Sequence, residues 1–380
     1  MKKEKIWIYL ENGDFFEANS FGCSGETVGE LVFNTSMTGY QEILSDPSYA
    51  GQFVTFNFPE IGNVGVNEHD MQSSRFWCKG VIVHNYSESY SNYRATNSLS
   101  AELKKFNTIG ICDIDTRKLV KIVREQGVMM MIASTNISDK DILKELLERS
   151  PKIKDINFID KVSTKKSYIH NEGIWCADTQ KYNKAKRSNK KIIVIDFGVK
   201  RAILNELVHS GFEVEVINAN FDADDIILKY NQGKIDGLFL SNGPGDPMRL
   251  TEQIVQIKKL IKTDIPIFAI CLGHQLLSIA FGHDTYKLKF GQHGGNHPVF
   301  SNQKVEITAQ NHNYNVPKTI EQVAHITHYN LFDKTIEGVQ YKNKNIFSVQ
   351  HHPEANPGPK ESSYIFKKFN KLCDKPAIKI

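Results

Sequence analysis

From residue 191 onward, short apolar runs alternate with longer segments of helical period. "KIIVIDFG" reads as a strand, and "KRAILNELVHSG" as a helix closed by Gly211. "EVEVINA" is the next strand and "DADDIILKYNQG" the next helix. "DGLFLSNGPGDP" is a strand running into a glycine-rich loop, and "TEQIVQIKKLIK" is a helix. "IPIFAI" and "LGHQLLSIAFG" repeat the strand–helix pair, and shorter β-rich pieces follow, among them "KVEITAQN" and "IFSVQHHPE". Strands that are apolar without interruption, separated by helices, predict a parallel sheet covered on both faces. Such sheets bind ligands at the carboxyl ends of their strands.

The first 150 residues mix strands and helices. "KIWIYLENGDFFEA" predicts a hairpin turning at Asn12-Gly13, and "GVIVHNY" a buried strand. "DTRKLVKIVREQG" places Leu119, Val120 and Val123 on one helical face, with Gly127 as C-cap. "SDKDILKELLERSP" predicts a helix capped by Ser138 that buries Ile142, Leu143, Leu146 and Leu147 and stops before Pro151. Between the halves, "KYNKAKRSNKK" is basic, with one aromatic and no period; a solvated linker fits better than a nucleic-acid patch. These patterns divide the chain into an N-terminal domain over 1–160, a linker over 161–190 and a second domain over 191–377.

Composition narrows the class. Hydrophobic residues make up 40% and charged residues 24% of 380, a globular balance. A net charge of +4 predicts no general nucleic-acid affinity. The apolar run Ile6 to Leu10 is too short for a signal-peptide core, and no segment approaches the roughly 18 apolar residues of a membrane span. A cytoplasmic location is expected, with no membrane partner. The six cysteines form no CxxC pair, so neither a zinc ribbon nor a thioredoxin-type motif is indicated.

Three loops are expected at one sheet edge: "SNGPGDP", "AICLGHQ" and "SVQHHPE". Cys271 directly follows a buried strand and directly precedes a helix, with Ala269 and Gly273 two residues to either side. Small residues there permit a nucleophile-elbow turn, and a helix N-terminus favours thiolate. The Leu272 N–H then points toward an oxyanion formed at the sulfur, with Gly243 a second candidate donor. A buried cysteine closing a core strand is the other reading of the same residue. His352 and Glu354, two apart in extended geometry, face the same side, so a carboxylate can fix the tautomer of a general base. His351 does not fit this spacing and receives no catalytic role. "GPGDP" does not continue as GxGxxG, no phosphate-binding loop occurs, and no HExxH occurs, so neither a nucleotide site nor a catalytic metal is expected.

Taken together, "SNGPGDP", "CLGHQLL" and "HPE" resemble the class I glutamine amidotransferases. "KFGQHGGNHPV", "ITAQNHNYNV" and, in the N-terminal half, "VGELVFNTSMTGYQEILSDPSYAGQ", "PEIGNVGVN" and "DIDTRKLV" narrow the resemblance to small, glutamine-hydrolysing subunits of carbamoyl phosphate synthetases. The fold this implies is α/β. A class I amidotransferase domain, with a mixed, mostly parallel sheet covered by helices, follows a smaller mixed α/β N-terminal domain. The resemblance implies Cys271 as nucleophile, His352 as proton carrier and Glu354 as its orienter. It implies glutamine contacts at Ser48, Gly243, Gly245, Leu272, Gln275, Asn311, Asn313 and Tyr314, with Gly243 and Leu272 forming the oxyanion hole. No cofactor or metal is implied in this chain. ATP and magnesium are expected in a large synthetase subunit that receives the ammonia and makes carbamoyl phosphate for arginine and pyrimidine synthesis.

The departures fall at substrate positions. The family usually reads Asn-His-Gly-Phe where this chain has "NHNY", Asn311 to Tyr314. A glycine there implies positive φ, which asparagine tolerates better than other side chains. Rival readings are a glutaminase subunit for a different ATP-dependent synthase, a cysteine hydrolase acting alone and a non-enzymatic regulatory subunit. The N-terminal motifs argue against the first, and an intact Cys271, His352 and Glu354 set against the last.

Overall fold

The hairpin expected at Asn12-Gly13 forms. Strand β1 (Glu4–Leu10) pairs antiparallel with β2 (Phe15–Ser20), and Gly13 takes φ 94° in the turn. The structure is a computed structural model that describes residues 4–185, 188–301 and 303–374. It divides into two units. One runs to Phe158 and takes in Leu288–Gly295 and Asn356–Gly358; the other comprises Ile159–Lys287, Asn296–Ala355 and the chain from Pro359.

In the first unit, β1 and β2 belong to a closed barrel with β3 (Glu26–Asn34), β4 (Gln52–Phe56), β5 (Gly80–Ile82), β6 (Ile109–Cys112) and β7 (Met129–Ser134), in the order β1-β2-β6-β5-β4-β3-β7. Pairing of β7 with β1 closes it. Ile6, Ile8, Leu10, Leu31, Phe53, Ile111 and Met131 fill one buried cluster, joined by Leu119, Ile122 and Val123 of the helix Thr116–Gln126. Closure removes the exposed edges an open sheet of these strands would leave. The sequence pattern anticipated mixed α/β structure here but not a barrel, because short strands carry no record of which edge pairs with which. The segment 288–295, assigned by sequence to the second domain, belongs to this unit: Val128 N–H donates to the Lys289 carbonyl at 3.0 Å and Thr35 N–H to that of His293 at 3.2 Å.

The helix Lys140–Arg149 is capped by Asp139, not Ser138. The Asp139 carboxylate accepts from the N–H groups of Asp141 at 2.8 Å and Ile142 at 3.1 Å. Of its four expected core residues, Leu143 and Leu147 are buried, whereas Ile142 is 48% exposed. The packed stripe is the i, i+4 pair, and Ile142 lies off it.

The second unit is built on a ten-stranded sheet. Its strands are β8 (Tyr168–His170), β9 (Lys190–Asp196), β10 (Phe212–Asn218), β11 (Gly237–Leu240), β12 (Ile267–Ile270), β13 (Tyr286–Ser301), β14 (Lys304–Asn315), β15 (Ala324–Asn330), β16 (Ile336–Tyr341) and β17 (Ile346–Val349). Their order is β8-β10-β9-β11-β12-β17-β16-β15-β13-β14. The centre, β10 to β17 in that order, is parallel, and antiparallel strands extend it on both sides. The sheet is thus mixed with a parallel centre, and its antiparallel flank is larger than the "mostly parallel" expectation.

Why the central strands lack polar alternation is visible in where they point. Ile193, Ile195, Leu238, Leu240, Ile267 and Ala269 pack on one face, against residues of the helices Ala223–Asn231, Thr251–Leu260 and Leu272–Ala280. Ile192, Val194, Phe239, Phe268 and Ile270 pack on the other, against the helices Arg201–His209 and Tyr364–Leu372. Both sides of each strand are buried, and each large side chain so placed contributes about 1.5–3 kcal/mol. The segment 161–190, expected as a linker, carries β8 on the edge of this sheet and a hairpin of Glu172–Cys176 with Lys181–Lys184. Lys190 pairs with Asp374 at 2.6 Å and Lys191 with Glu213 at 2.9 Å, giving the end of this basic stretch local partners. Lys186 and Arg187 of that stretch, and the expected boundary at 377, lie outside the described residues.

Candidate active site

Strands β11, β12 and β17 are parallel neighbours, so the loops that follow them leave the same edge of the sheet. These are the three loops singled out by sequence. Cys271 directly follows β12 with φ 54° and ψ −107°, a conformation that costs a non-glycine residue about 1–3 kcal/mol. Its N–H is still tied to the sheet, donating to the Val349 carbonyl at 2.9 Å. The next residue, Leu272, starts the helix. Gly273 makes the turn possible: a Cβ there would lie 2.4 Å from the Leu240 carbonyl oxygen, and its N–H donates to Ser241 at 3.0 Å. Thus the helix starts close against β11, and the Cys271 Sγ lies at its N-terminus. The thiol is buried and donates to the Asn311 carbonyl at 3.5 Å.

His352 and Glu354 face each other as the spacing predicted. Nδ1 of His352 lies 2.7 Å from Oε1 of Glu354, and the His352 N–H donates to the Ala309 carbonyl at 2.9 Å. Both side chains are buried. Burial disfavours the imidazolium, but the Glu354 carboxylate, and then the Cys271 thiol, outweigh it and raise His352 to about 10. Burial likewise disfavours the Glu354 carboxylate, yet Lys200 and His352 bring it down to about 2. Lys200 is the residue the sequence reading missed. Its Nζ donates to Glu354 Oε1 at 2.9 Å and to the Ala355 carbonyl at 2.6 Å, and it is itself buried. It was legible in one respect: "DFGVKR" follows a parallel strand and leaves by the same edge as the other three loops. At that edge Asp196 anchors the turn, accepting from Gly198 at 2.9 Å and Val199 at 2.8 Å.

The remaining expected residues divide. Gly243 passes so close to Phe197 that a Cβ would meet its carbonyl oxygen at 2.1 Å, and Gly245 has φ 94°. Both positions demand glycine. Gln275, buried one turn into the helix, donates to the carbonyl of Tyr314 at 2.9 Å and to Gln350 at 3.1 Å. Asn311 is brought to the cysteine. Asn313 and Tyr314 are half-buried residues of β14, and Asn313 is not among the residues with positive φ, contrary to expectation. Extended backbone holds any side chain, so asparagine needs no special tolerance there. Ser48 belongs to the first unit, on the turn Pro47–Tyr49, where its N–H donates to Asp46 at 2.8 Å. Among the described residues, no group of His, Cys, Asp and Glu side chains could hold a metal ion, and no helix is long and apolar enough to cross a membrane.

A strained cysteine at a strand-to-helix turn beside a histidine–carboxylate pair is the arrangement of a nucleophilic hydrolytic site. Residues 193–372 match the family model for glutamine amidotransferase class-I, and residues 8–133 match that for the carbamoyl-phosphate synthase small chain, CPSase domain. The carbamoyl phosphate synthase small chain of Campylobacter jejuni is 58% identical over 97% of this chain and 100% of its own length. That of Helicobacter hepaticus is 57% identical over 98% and 99%. The chain belongs to the carbamoyl phosphate synthase small chain family.

Proposed function

We propose that this chain is the glutaminase subunit of a glutamine-hydrolysing carbamoyl phosphate synthase, a ligase. Cys271 transfers its proton to His352 and attacks the side-chain carboxamide carbon of glutamine. The developing oxyanion is held by the N–H groups of Leu272 and Gly243. Collapse expels the nitrogen as ammonia, which takes its proton from His352, and leaves a glutamyl thioester on Cys271. His352 then takes a proton from water, hydroxide attacks the thioester, and glutamate leaves as the thiol regains the proton. Glu354 fixes the imidazole tautomer through Nδ1, leaving Nε2 to face the sulfur. Gly245, Gln275, Asn311, Asn313 and Tyr314 line the proposed glutamine site, and Ser48 is assigned to glutamine by family resemblance alone.

The observation that carries this reading is the set Cys271, His352, Glu354 and Lys200 at one sheet edge of a class-I amidotransferase domain. The N-terminal match favours carbamoyl phosphate synthesis over a different synthase. Ammonia passes to a large partner subunit that binds ATP and magnesium and uses bicarbonate. Cytoplasmic work fits a chain whose six cysteines form no disulfide among the described residues. The test is Cys271→Ser in the assembled complex. Synthesis from glutamine should disappear and synthesis from free ammonia should persist. A variant that still makes carbamoyl phosphate from glutamine at the parental rate rules out Cys271 as nucleophile.

A further inference from the structure

Behind the glutamine-binding segment lies a line of buried polar groups that the mechanism does not use. It runs from the Glu337 carboxyl to the Gln310 amide, on to the His312 imidazole, and ends at the Tyr314 carbonyl. Gln310 Nε2 lies 3.0 Å from Glu337 Oε2 and 3.1 Å from Thr308 Oγ1. Gln310 Oε1 lies 3.0 Å from His312 Nε2, and His312 Nδ1 lies 2.9 Å from the Tyr314 carbonyl oxygen. The same carbonyl accepts from Gln275 at 2.9 Å. Glu337, Gln310 and His312 are all buried.

Counting donors decides how this line is protonated. A carbonyl only accepts, so His312 carries a proton on Nδ1. Two arrangements then satisfy the rest. In one, His312 also carries a proton on Nε2 and donates to the Gln310 oxygen, while the Gln310 amide donates to a Glu337 carboxylate. In the other, a protonated Glu337 donates to the Gln310 oxygen, and the amide, turned end for end, donates to a neutral Nε2. The Thr308 hydroxyl serves either arrangement by rotating between Gln310 and the His297 carbonyl, 3.0 Å away. Both arrangements hold the same number of protons. Loss of one proton sets two acceptors against each other, either at His312–Gln310 or at Gln310–Glu337.

We propose that Glu337 is a positioning residue for glutamine, acting through Gln310 and His312 on the Tyr314 carbonyl, and that one proton shared along this relay keeps Asn311–Tyr314 in its substrate-binding form. The proposal rests on the glutaminase reading above. Several groups face Glu337. Thr335 Oγ1 is 3.5 Å away on the turn before β16, and His312 Nε2 from β14 and His351 Nδ1 beyond β17 are each 4.0 Å away. Asp333 and Tyr286 act on it by charge, and Asn330 by hydrogen bonding. His328 stacks behind His351 at 5.3 Å. Burial, reinforced by Asp333, pushes the Glu337 carboxyl up to about 8, so the shared proton is lost on the alkaline side of neutrality.

The full chain carrying Cys271→Ala, which binds glutamine without turning it over, supplies the test. Its dissociation constant for glutamine is measured by calorimetry from pH 6.5 to 9, alone and with Glu337→Gln or Glu337→Leu added. With Glu337 present, affinity should fall on the order of ten-fold above about pH 8, the effect of one hydrogen bond replaced by a repulsive contact. Glu337→Gln should keep the low-pH affinity and lose this step, because a second amide donates to Gln310 at any pH. Glu337→Leu should bind weakly throughout. With Cys271 intact and the synthetase partner present, the same changes should appear in KM and leave kcat within about two-fold. A step of equal size in Glu337→Gln overturns the relay. If the chain neither binds nor hydrolyses glutamine at any pH, the glutaminase reading itself fails and takes the relay with it.

Discussion

The second unit buries two clusters of ionisable groups, and they solve the same problem in opposite ways. At the sheet edge, Glu354 lies between Lys200 and His352, and these two neighbours hold its carboxyl well below the ordinary range. Around Glu337, no lysine or arginine approaches among the contacts described, and burial dominates. Glu337 is pushed up to about 8, and the neighbouring His351 is held well below its ordinary value. His351 and His352 are consecutive in the chain and equally buried, yet their proton affinities move in opposite directions. Burial alone therefore does not set the charge of a buried group; the nearest partner does. A reactive site is served by the first solution, because a carboxylate beside the imidazole stabilises the imidazolium that forms when the thiol proton is transferred.

The largest effect should come from breaking the charged cluster at its centre. His352→Asn removes the proton carrier for both halves of the reaction and should reduce glutamate release by several orders of magnitude in steady-state assays. Lys200→Met comes next. It leaves Glu354 with only His352 as counter-charge, so glutaminase activity should fall roughly 10- to 100-fold and stability by about 3–5 kcal/mol at neutral pH. The sign of the pH effect follows from Glu354. Its folded value lies below the unfolded one, so its stabilisation is full above about 4.5 and is lost as pH falls toward 2. Urea titrations at pH 7 and pH 3 should show the Lys200→Met deficit shrinking at the lower pH. An equal deficit at both would mean that Lys200 acts by packing alone.

Glu337→Gln should have a smaller effect of the opposite sign. A carboxyl whose folded value is raised destabilises the native state increasingly as pH climbs from about 4.5 to 8. The glutamine variant lacks that loss, so it should gain a few kcal/mol relative to the parent between pH 5 and 8.5, read as a diverging urea midpoint. Parallel stability curves for the two chains would show that Glu337 has found a counter-ion, and the contrast between the clusters would collapse.

Much of the charged cluster was legible in the sequence, and little of the neutral one. Cys271, His352 and Glu354 are local signals: small residues around a cysteine at a strand end, and a histidine and carboxylate two apart. Lys200 was missed because its partner lies 154 residues away, and one lysine after a strand has no spacing to betray it. Gln310 and His312 share β14, but Glu337 comes from β16, and only the long-range arrangement of the antiparallel flank, not local periodicity, brings it to them. The parallel centre was readable for the converse reason, since burial on both faces leaves an uninterrupted apolar run. Barrel closure in the first unit, and the return of residues 288–295 to it, depend on long-range pairing that no local window contains.

The smallest expected effect separates the two histidines. His351 fits no catalytic spacing, and its ring packs against His328 and near Glu337 instead of facing the thiol. His351→Asn should therefore leave glutamate release within a few-fold of the parent. Its signature should be in stability. The folded chain resists protonating His351, so the unfolded chain takes up the proton first, and stability falls as pH drops below about 6.5. The loss should be visible as a steady fall in the urea midpoint between pH 7 and pH 5. Removing the imidazole should flatten this part of the curve whatever the variant's absolute stability, which separates the proton effect from any packing defect. An unchanged slope would show that His351 is protonated in the folded chain with Glu337 as its partner, and the neutral cluster would then be a second ion pair.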